Sequence, residues 1–514
     1  MTVVQLGQVN TTSLVVPDVV VQIVPPQQNY VNGVATNILG LVGTAAWGPV
    51  NSPTIVGDIK QYVSTFGNIQ PRKYDMGTAA WAAILNGANN MRCVRVTDGT
   101  DTAAIATIGT TGITIASKYT GSLGNGISAL IAPGSASGTW RVTVTLPGLV
   151  PEVFDNIAPG LTGNAVWLAM ATAINNGISG LRGPSQIAVA NAGAATASPT
   201  PTTANLSGGT DGATGVGAAQ LLGSDGITRS GMYAFRATGA SVAMLADCDA
   251  STSWATQVAF GLSEGTYMIM VTPAGDTISV AAATKGTAGI DSYAAKLLFG
   301  DWIYFNDTVN GQIRLISPQG FVAGILSALS PAQSGLNKPL AGIVATQKSN
   351  ANGVYSNADL QALAQAGIDV IANPCPGGAY FGLRIGRNTS SNQVINGDNY
   401  PRLTNYIAYT LNSAMGLYIG RLQSNTTRGQ AMGTINAFLA AMQQQGLIGD
   451  VSNPTKQSFS VQLNAANNPP ARVALGYMQV DVRITYLSVI TVLLINVEGG
   501  QSVSVNVGAA SPAG

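Results

Sequence analysis

The stretch that most limits how this chain can fold is an uncharged, β-branched run near its C-terminus. Residues 476–497 read G-Y-M-Q-V-D-V-R-I-T-Y-L-S-V-I-T-V-L-L-I-N-V, with no charge between Arg483 and Glu498. A membrane helix needs about 18 or more apolar residues, and Val, Ile and Thr at this density favour a strand over a helix. From Tyr486 onward both the even set (Tyr486, Ile490, Val492, Leu494) and the odd set (Leu487, Val489, Leu493, Ile495) are apolar. That is the pattern of a strand covered on both faces. Gly499 and Gly500 offer a turn, and Val503, Val505 and Val507 then alternate with Ser502, Ser504 and Asn506 as in a half-buried strand. The chain is expected to end in strands with no later element to cover their edge.

Its beginning has the same character. Residues 12–24 place Val15, Pro17, Val19, Val21 and Ile23 on one face and Asp18 and Gln22 on the other. Proline cannot donate to a ladder, so this strand belongs at an edge or outside the body of the fold. A bare apolar edge invites aggregation unless its pairing is intended. Two such segments, one near each terminus, fit pairing between subunits; they fit equally well a sheet closed within one molecule.

Composition removes several function classes. Only 9% of the 514 residues are charged and the net charge is +1, so the surface tolerates dense association and offers no basic excess for phosphates. Direct nucleic-acid binding and membrane insertion are not expected. The N-terminus lacks a basic start and a compact apolar core, which predicts a soluble protein made in a cytoplasm. Cys93, Cys248 and Cys375 are scattered and odd in number, giving neither a disulfide framework nor metal spacing, and are expected to be buried, inert thiols. Histidine is absent. That removes Ser-His-Asp and Cys-His catalysis and the usual zinc sites, leaving only carboxylate or lysine chemistry for an enzyme. No cofactor or metal is expected.

Taken in order, the chain divides into six parts. Residues 1–30 read as an N-terminal β arm, joined through Pro25 and Pro26 to a first α/β part at 31–97. There, 37–46 is a buried strand, and Ile59, Tyr62, Val63 and Phe66 mark a helix ended by Gly67. A second helix covers 75–87 and a strand covers 91–96. Residues 98–212 are rich in Gly, Ser, Thr and Ala, with short alternating runs and one helix at 164–175, and read as an inserted, mainly β domain; 190–209 is expected to be loop or flexible strand. Helix and strand then alternate over 213–372: a helix capped by Ser251, a strand at 267–271, a helical pattern at 293–298, a strand at 302–305, and helices at 321–329 and 358–366. A strand at 368–372 closes this part. Such alternation predicts a mixed sheet flanked by helices. Residues 373–475 carry two helices, 400–422 and 426–445, and 476–514 hold the terminal strands and arm.

Local motifs are weak. The glycine clusters at 121–126 and 208–212 lack the Lys-Ser/Thr of a phosphate loop and the strand-to-helix setting of a dinucleotide site, and 62 glycines make such clusters commonplace. Asp247 and Asp249 flank Cys248, and Asp291 and Asp301 bracket a helical pattern; acid–base work is conceivable there, with helix capping the simpler role. Arg421 and Arg428 sit about the turn between the last two helices in an acid-poor region, as solvated arginines or as partners for an acidic surface.

Four stretches together resemble the tail sheath proteins of contractile-tailed bacteriophages and related injection systems. They are 37–53 (N-I-L-G-L-V-G-T-A-A-W-G-P-V-N-S-P), then Phe66-Gly67 with 81–96 (W-A-A-I-L-N-G-A-N-N-M-R-C-V-R-V), then 118–127 (K-Y-T-G-S-L-G-N-G-I) with 206–212 (L-S-G-G-T-D-G), and the closing helices and strands. Each is short; their order and spacing make the case. The stretch 380–399 matches the family only loosely, through Gly386-Arg387-Asn388-Thr389. The resemblance implies a structural protein with a subtilisin-like middle domain and extended arms at both ends. It implies stacked hexameric rings of this chain around an inner tail tube, capped by baseplate and tail terminator proteins, in a virion tail assembled in the host cytoplasm. Strand exchange between copies would then involve Val15, Val19, Val21, Ile23, Val489, Val492, Leu494, Val503 and Val505, with Arg421 and Arg428 facing the tube. A non-viral injection device, a hydrolase and a surface-layer or adhesin module are the competing readings.

Overall fold

The computed structural model describes residues 31–497 apart from 179, 181 and 496, together with the backbone of two short strands, Thr2–Val4 and Val20–Gln22. The organising element is a six-stranded sheet in the order Ala295–Leu298, Tyr267–Val271, Val242–Leu245, Leu39–Gly43, Met91–Arg95, Thr54–Val56. The first five strands are mutually parallel and Thr54–Val56 closes one edge antiparallel. Leu39–Gly43 is buried at every position, as a central parallel strand must be. The sheet has a separate apolar core on each face. One gathers Leu39, Leu41, Met91, Val242 and Tyr267 with helices Ile59–Phe66, Met76–Leu85 and Gln319–Ala328. The other gathers Val42, Val94, Leu245, Met268 and Leu297 with helices Trp254–Glu264, Ile278–Thr287 and Asn357–Ala366.

Helix ends follow local chemistry. The Asp58 carboxylate accepts from the Gln61 N–H at 2.8 Å and the Asp75 carboxylate accepts from the Thr78 N–H at 2.7 Å. The alanine-rich Met76–Leu85 helix packs tightly on Gln319–Ala328 because Gly324 presses against the Ala83 backbone, where a side chain would overlap it. A three-stranded antiparallel sheet, Gln312–Ile316, Ile303–Asp307, Ile343–Thr346, packs into the same core.

The segment 98–212 has a core of its own, built from a four-stranded and a three-stranded antiparallel sheet and the helix Asn164–Asn176. Where it leaves and rejoins the main sheet, the Asp98 N–H donates to the Gly212 carbonyl at 2.8 Å. Arg95, at the end of its strand, is fully buried and donates to the carbonyls of Gly48 (2.8 Å), Thr120 (2.6 Å) and Asp211 (3.1 Å). Arg72 adds an ion pair to Asp211 at 2.6 Å. One guanidinium therefore ties both ends of the insertion to the sheet.

Several expectations need correction. The 293–298 stretch is a parallel strand, Ala295–Leu298, not a helix: Tyr267–Val271 offers it a ladder that periodicity cannot reveal. Within 190–209, expected to be loop or flexible strand, Ala188–Ala192 and Thr202–Asn205 bound the segment as paired strands, in keeping with that expectation. The Thr54–Val56 edge strand has no counterpart in the sequence reading. Ser251 opens a 3₁₀ turn, Ser251–Ser253, ahead of the helix and caps nothing with its side chain. The long helix stops at Met415, where Gly416–Tyr418 tightens into 3₁₀.

Candidate assembly surface

The C-terminal part is a small body of its own. Helices Asn399–Met415 and Asn425–Gln444 share a core of Leu403, Ile407, Ile435, Phe438, Leu439 and Met442. Against it lies a two-stranded antiparallel sheet, Phe459–Gln462 with Asp481–Ile484. Two strands alone leave an open edge on each side. Thr485 adds two further main-chain bonds, donating to the Ser458 carbonyl at 2.8 Å and accepting from the Gly449 N–H at 3.1 Å. The Tyr486 hydroxyl then shares a hydrogen bond with Thr404 Oγ1 at 3.0 Å, and its ring stands 5.9 Å from that of Tyr400.

Beyond this point the sequence expectation fails in an informative way. The run from Tyr486 onward, expected to be a strand covered on both faces, forms no strand over 486–495, because no described segment of the chain pairs with it to complete a ladder. Residues 487–491 leave along one wall of a groove of about 400 Å³ whose other wall includes Arg387, Asn396 and Gly397. Val489 is half-buried there; Ile490, Val492, Leu493, Leu494 and Ile495 are 69–82% exposed. Isolated exposed apolar residues are ordinary, but a continuous run of them is the mark of an unmet partner. Of the other expected arm residues, Val21 lies in the strand Val20–Gln22, which pairs in parallel with Thr2–Val4. Val15, Val19, Ile23, Val503 and Val505 lie outside the described residues.

Arg421 and Arg428 come together with features the sequence reading missed. The Arg421 guanidinium lies over the Tyr418 ring, Arg428 donates to Gln423 Oε1 at 2.7 Å, and Gln423 donates to the Tyr477 carbonyl at 2.8 Å. Neither arginine has an ion-pair partner among the described residues. Ile419, Leu422, Leu475 and Tyr477 are exposed on the same loops, and between 416 and 480 the bases Arg421, Arg428, Lys456 and Arg472 face only one acid, Asp450.

The C-terminal body is bolted to the sheet by buried charge. Lys296, from the edge strand Ala295–Leu298, pairs with Asp369 at 2.6 Å and with Asp398 at 2.9 Å, and all three side chains are fully buried. Asp398 also accepts from the Tyr267 hydroxyl at 2.7 Å, while Asp369 accepts from the N–H groups of Val370, Ile385 and Gly386. Burial pulls the Lys296 ammonium toward neutrality, but the two carboxylates outweigh it and hold the pKa above its ordinary value. One turn on, Arg402 donates to the carbonyls of Leu329, Ser330 and Gln333, capping the end of the Gln319–Ala328 helix; burial draws its pKa down to about 10. A lysine within an apolar A-K-L-L strand was the available sequence signal for this knot.

The carboxylates singled out earlier do not form a catalytic pair. Asp249 pairs with Lys73 at 2.9 Å, Asp291 accepts from Ser391, and Asp301 accepts from the Lys348 N–H and the Tyr355 hydroxyl. None of them, nor Asp247, is the capping residue of a helix. Asp247 is buried in a left-handed conformation (φ 51°) and accepts from the Ser317 N–H. Burial, with a further push from Asp75, raises its pKa to about 6. A carboxyl raised above its unfolded value stabilises fully below that value and loses the contribution as pH rises through the folded pKa. Asp247→Asn keeps the acceptor and suits the left-handed backbone. It is expected to raise stability by about 3 kcal/mol at pH 8 and by well under 1 kcal/mol at pH 4, read as the shift in denaturation midpoint at each pH. Cys93, Cys248 and Cys375 are buried and free.

No family model matches the sequence, and no curated protein matches it either. Solved structures do match. The fold is similar to the sheath tail protein of Listeria innocua, with a TM-score of 0.60 at 14% identity over 85% of this chain and 90% of that one. A sheath tail protein of Desulfitobacterium hafniense gives 0.56 at 15% identity, over 86% and 93%. The contracted PVC sheath complex of an extracellular contractile injection system gives 0.54 at 11% identity, over 94% and 97%. This chain has the fold of contractile sheath subunits. The likeness runs through nearly the full length of both partners, so it covers the inserted segment and the C-terminal body as well as the central sheet.

Proposed function

We propose that this protein is the structural subunit of a contractile tail sheath, one that polymerises around an inner tube and shortens to drive the tube through an envelope. The single observation that carries the reading is the exposed, largely apolar run 490–495, emerging beside a two-stranded sheet, in a chain of sheath fold. The open edges of Phe459–Gln462 and Asp481–Ile484 accept strands donated by neighbouring copies. One comes from the N-terminal arm with Val15, Val19, Val21 and Ile23, the other from the C-terminal arm with Val489, Val492, Leu494, Val503 and Val505. Main-chain bonds supply the strength of such β-augmentation and alternating side chains its register. Residues 1–24, fully extended at about 3.3 Å each, reach about 80 Å, enough to cross to an adjacent subunit.

In this reading the chain comprises an arm (1–30), an α/β body (31–97 with 213–372) of subtilisin-like type, an outer insertion (98–212), a tube-facing part (373–475) and a terminal arm (476–514). The parallel sheet with helices on both faces supports the second assignment, and the separate core of 98–212 the third. Copies stack as hexameric rings in the tail of a virion, bounded by baseplate and terminator proteins. Arg421 and Arg428, joined by Arg472 and the exposed Ile419, Leu422, Leu475 and Tyr477, face the inner tube; a patch with an apolar centre and a cationic rim fits an acidic, partly apolar tube surface. The role is structural, and contraction draws its free energy from subunit contacts that improve in the shortened state.

Negative-stain micrographs of the purified protein test this. Full-length protein is expected to form long hollow cylinders, and protein lacking residues 1–24 to remain dispersed with an unchanged circular dichroism spectrum. Cylinders from the truncated chain would defeat the arm assignment.

A further inference from the structure

Both chain ends leave the body from the same helix. On the N-terminal side, Val31 packs into the core of the C-terminal helices, Gly33 sits so close beneath the Tyr406 ring that any side chain there would overlap it, and the Val34 N–H donates to Thr410 Oγ1 at 3.2 Å. On the C-terminal side, Tyr486 is held by Thr404 and Tyr400. All four contact residues lie on the Asn399–Met415 helix, between 400 and 410, a separation of about 15 Å along its axis. The start of that helix is fixed to the sheet by Asp398 on Lys296 and by Arg402 on three carbonyls.

We propose that the Asn399–Met415 helix is the mechanical relay between the two arms, passing a pull on one arm to the other within a single subunit. The inference rests on the arm reading above and adds the path that force takes inside the subunit. The only covalent path between the arms runs through the whole chain. The non-covalent path through Thr410, Tyr406, Thr404 and Tyr486 crosses fewer than two turns of one helix.

Each attachment borders a depression of the surface. At the C-terminal one, Tyr400 and Tyr486, in ring contact, line the groove of about 400 Å³. At the N-terminal one, Val34 borders a pocket of about 130 Å³ between the helix residues Arg402, Asn405, Tyr406 and Tyr409 and the sheet-entry residues Gly239 and Ser241.

The test uses assembled cylinders on their tubes, shortened by stepwise addition of guanidinium and imaged at each step. In Tyr486→Phe/Thr404→Val, which removes the hydroxyl pair and leaves the strand-forming main chain intact, cylinders are expected to assemble and then stall, with shortened and extended stretches in one particle. Lys73→Gln, which breaks an exposed ion pair on the far side of the body, is expected to contract end to end as the parent does. Complete contraction of the Tyr486→Phe/Thr404→Val cylinders overturns the relay. If that variant assembles poorly, Tyr486→Phe alone carries the same comparison. Absence of cylinders from the parent protein would instead strike the sheath reading itself.

Discussion

Val492→Pro/Leu493→Pro is expected to leave the isolated chain as stable as the parent and to abolish cylinder formation. Both residues are exposed, at 82% and 75%, and belong to no strand of the single chain, so proline there removes no contact and no ladder bond. Consecutive residues of a strand direct their N–H groups to opposite edges, so the pair deletes one donor on each side wherever a neighbour's strand lies. Each proline inside a paired strand deletes a ladder bond and leaves a partner carbonyl unpaired, about 1–3 kcal/mol per group, so the pair costs roughly a hundredfold in affinity at every inter-subunit joint. Val492→Thr/Leu493→Thr, which keeps both donors and the β preference, is expected to assemble. Sedimentation of the two variants against the parent reads the outcome directly. Assembly of the proline variant at parental concentration would show that this run pairs with nothing.

Lys296→Met is expected to cost the joint between sheet and C-terminal helices about 3–5 kcal/mol, because it leaves Asp369 and Asp398 buried together with no cation between them. The loss should be greatest in the amide protection of Tyr267–Val271 and Asn399–Met415 and slight in the separate core of 98–212. The triple variant Lys296→Met/Asp369→Leu/Asp398→Leu recovers only part, since Asp369 also serves three main-chain N–H groups. The pH dependence has a definite sign. A lysine whose folded pKa is raised stabilises fully below its unfolded value, near 10.5, and the contribution disappears as pH rises through the higher folded value. The parent is therefore expected to lose this joint only under strongly alkaline conditions, and the Lys296→Met variant to lack it at every pH.

Much of the architecture was legible in the sequence for local reasons. Asp75 before an alanine-rich stretch, the i, i+3, i+4, i+7 apolar set from Ile59 to Phe66, and Gly67 after it are each short-range signals that capping and periodicity translate into helices. The all-apolar strand at Leu39–Gly43 announced burial on both faces, and the histidine-free, nearly uncharged composition turned attention to assembly before any coordinate was known. The apolar C-terminal run was visible too, with its cover left open between this molecule and a neighbouring copy.

What the sequence could not show depends on partners distant along the chain. Ala295–Leu298 reads equally well as helix or strand, and only the parallel neighbour at Tyr267–Val271 decides it. Lys296, Asp369 and Asp398 are spread over a hundred residues, and their meeting follows from sheet order and the placement of one helix. Arg95 looks like any strand-end arginine until the fold brings Gly48, Thr120 and Asp211 around it. The sequence alone determined that an apolar, uncharged and β-branched segment lies near the C-terminus, because that character resides in each side chain. Tertiary structure alone decided that 490–495 goes uncovered, because covering a strand takes a second strand, and the described fold places none beside it.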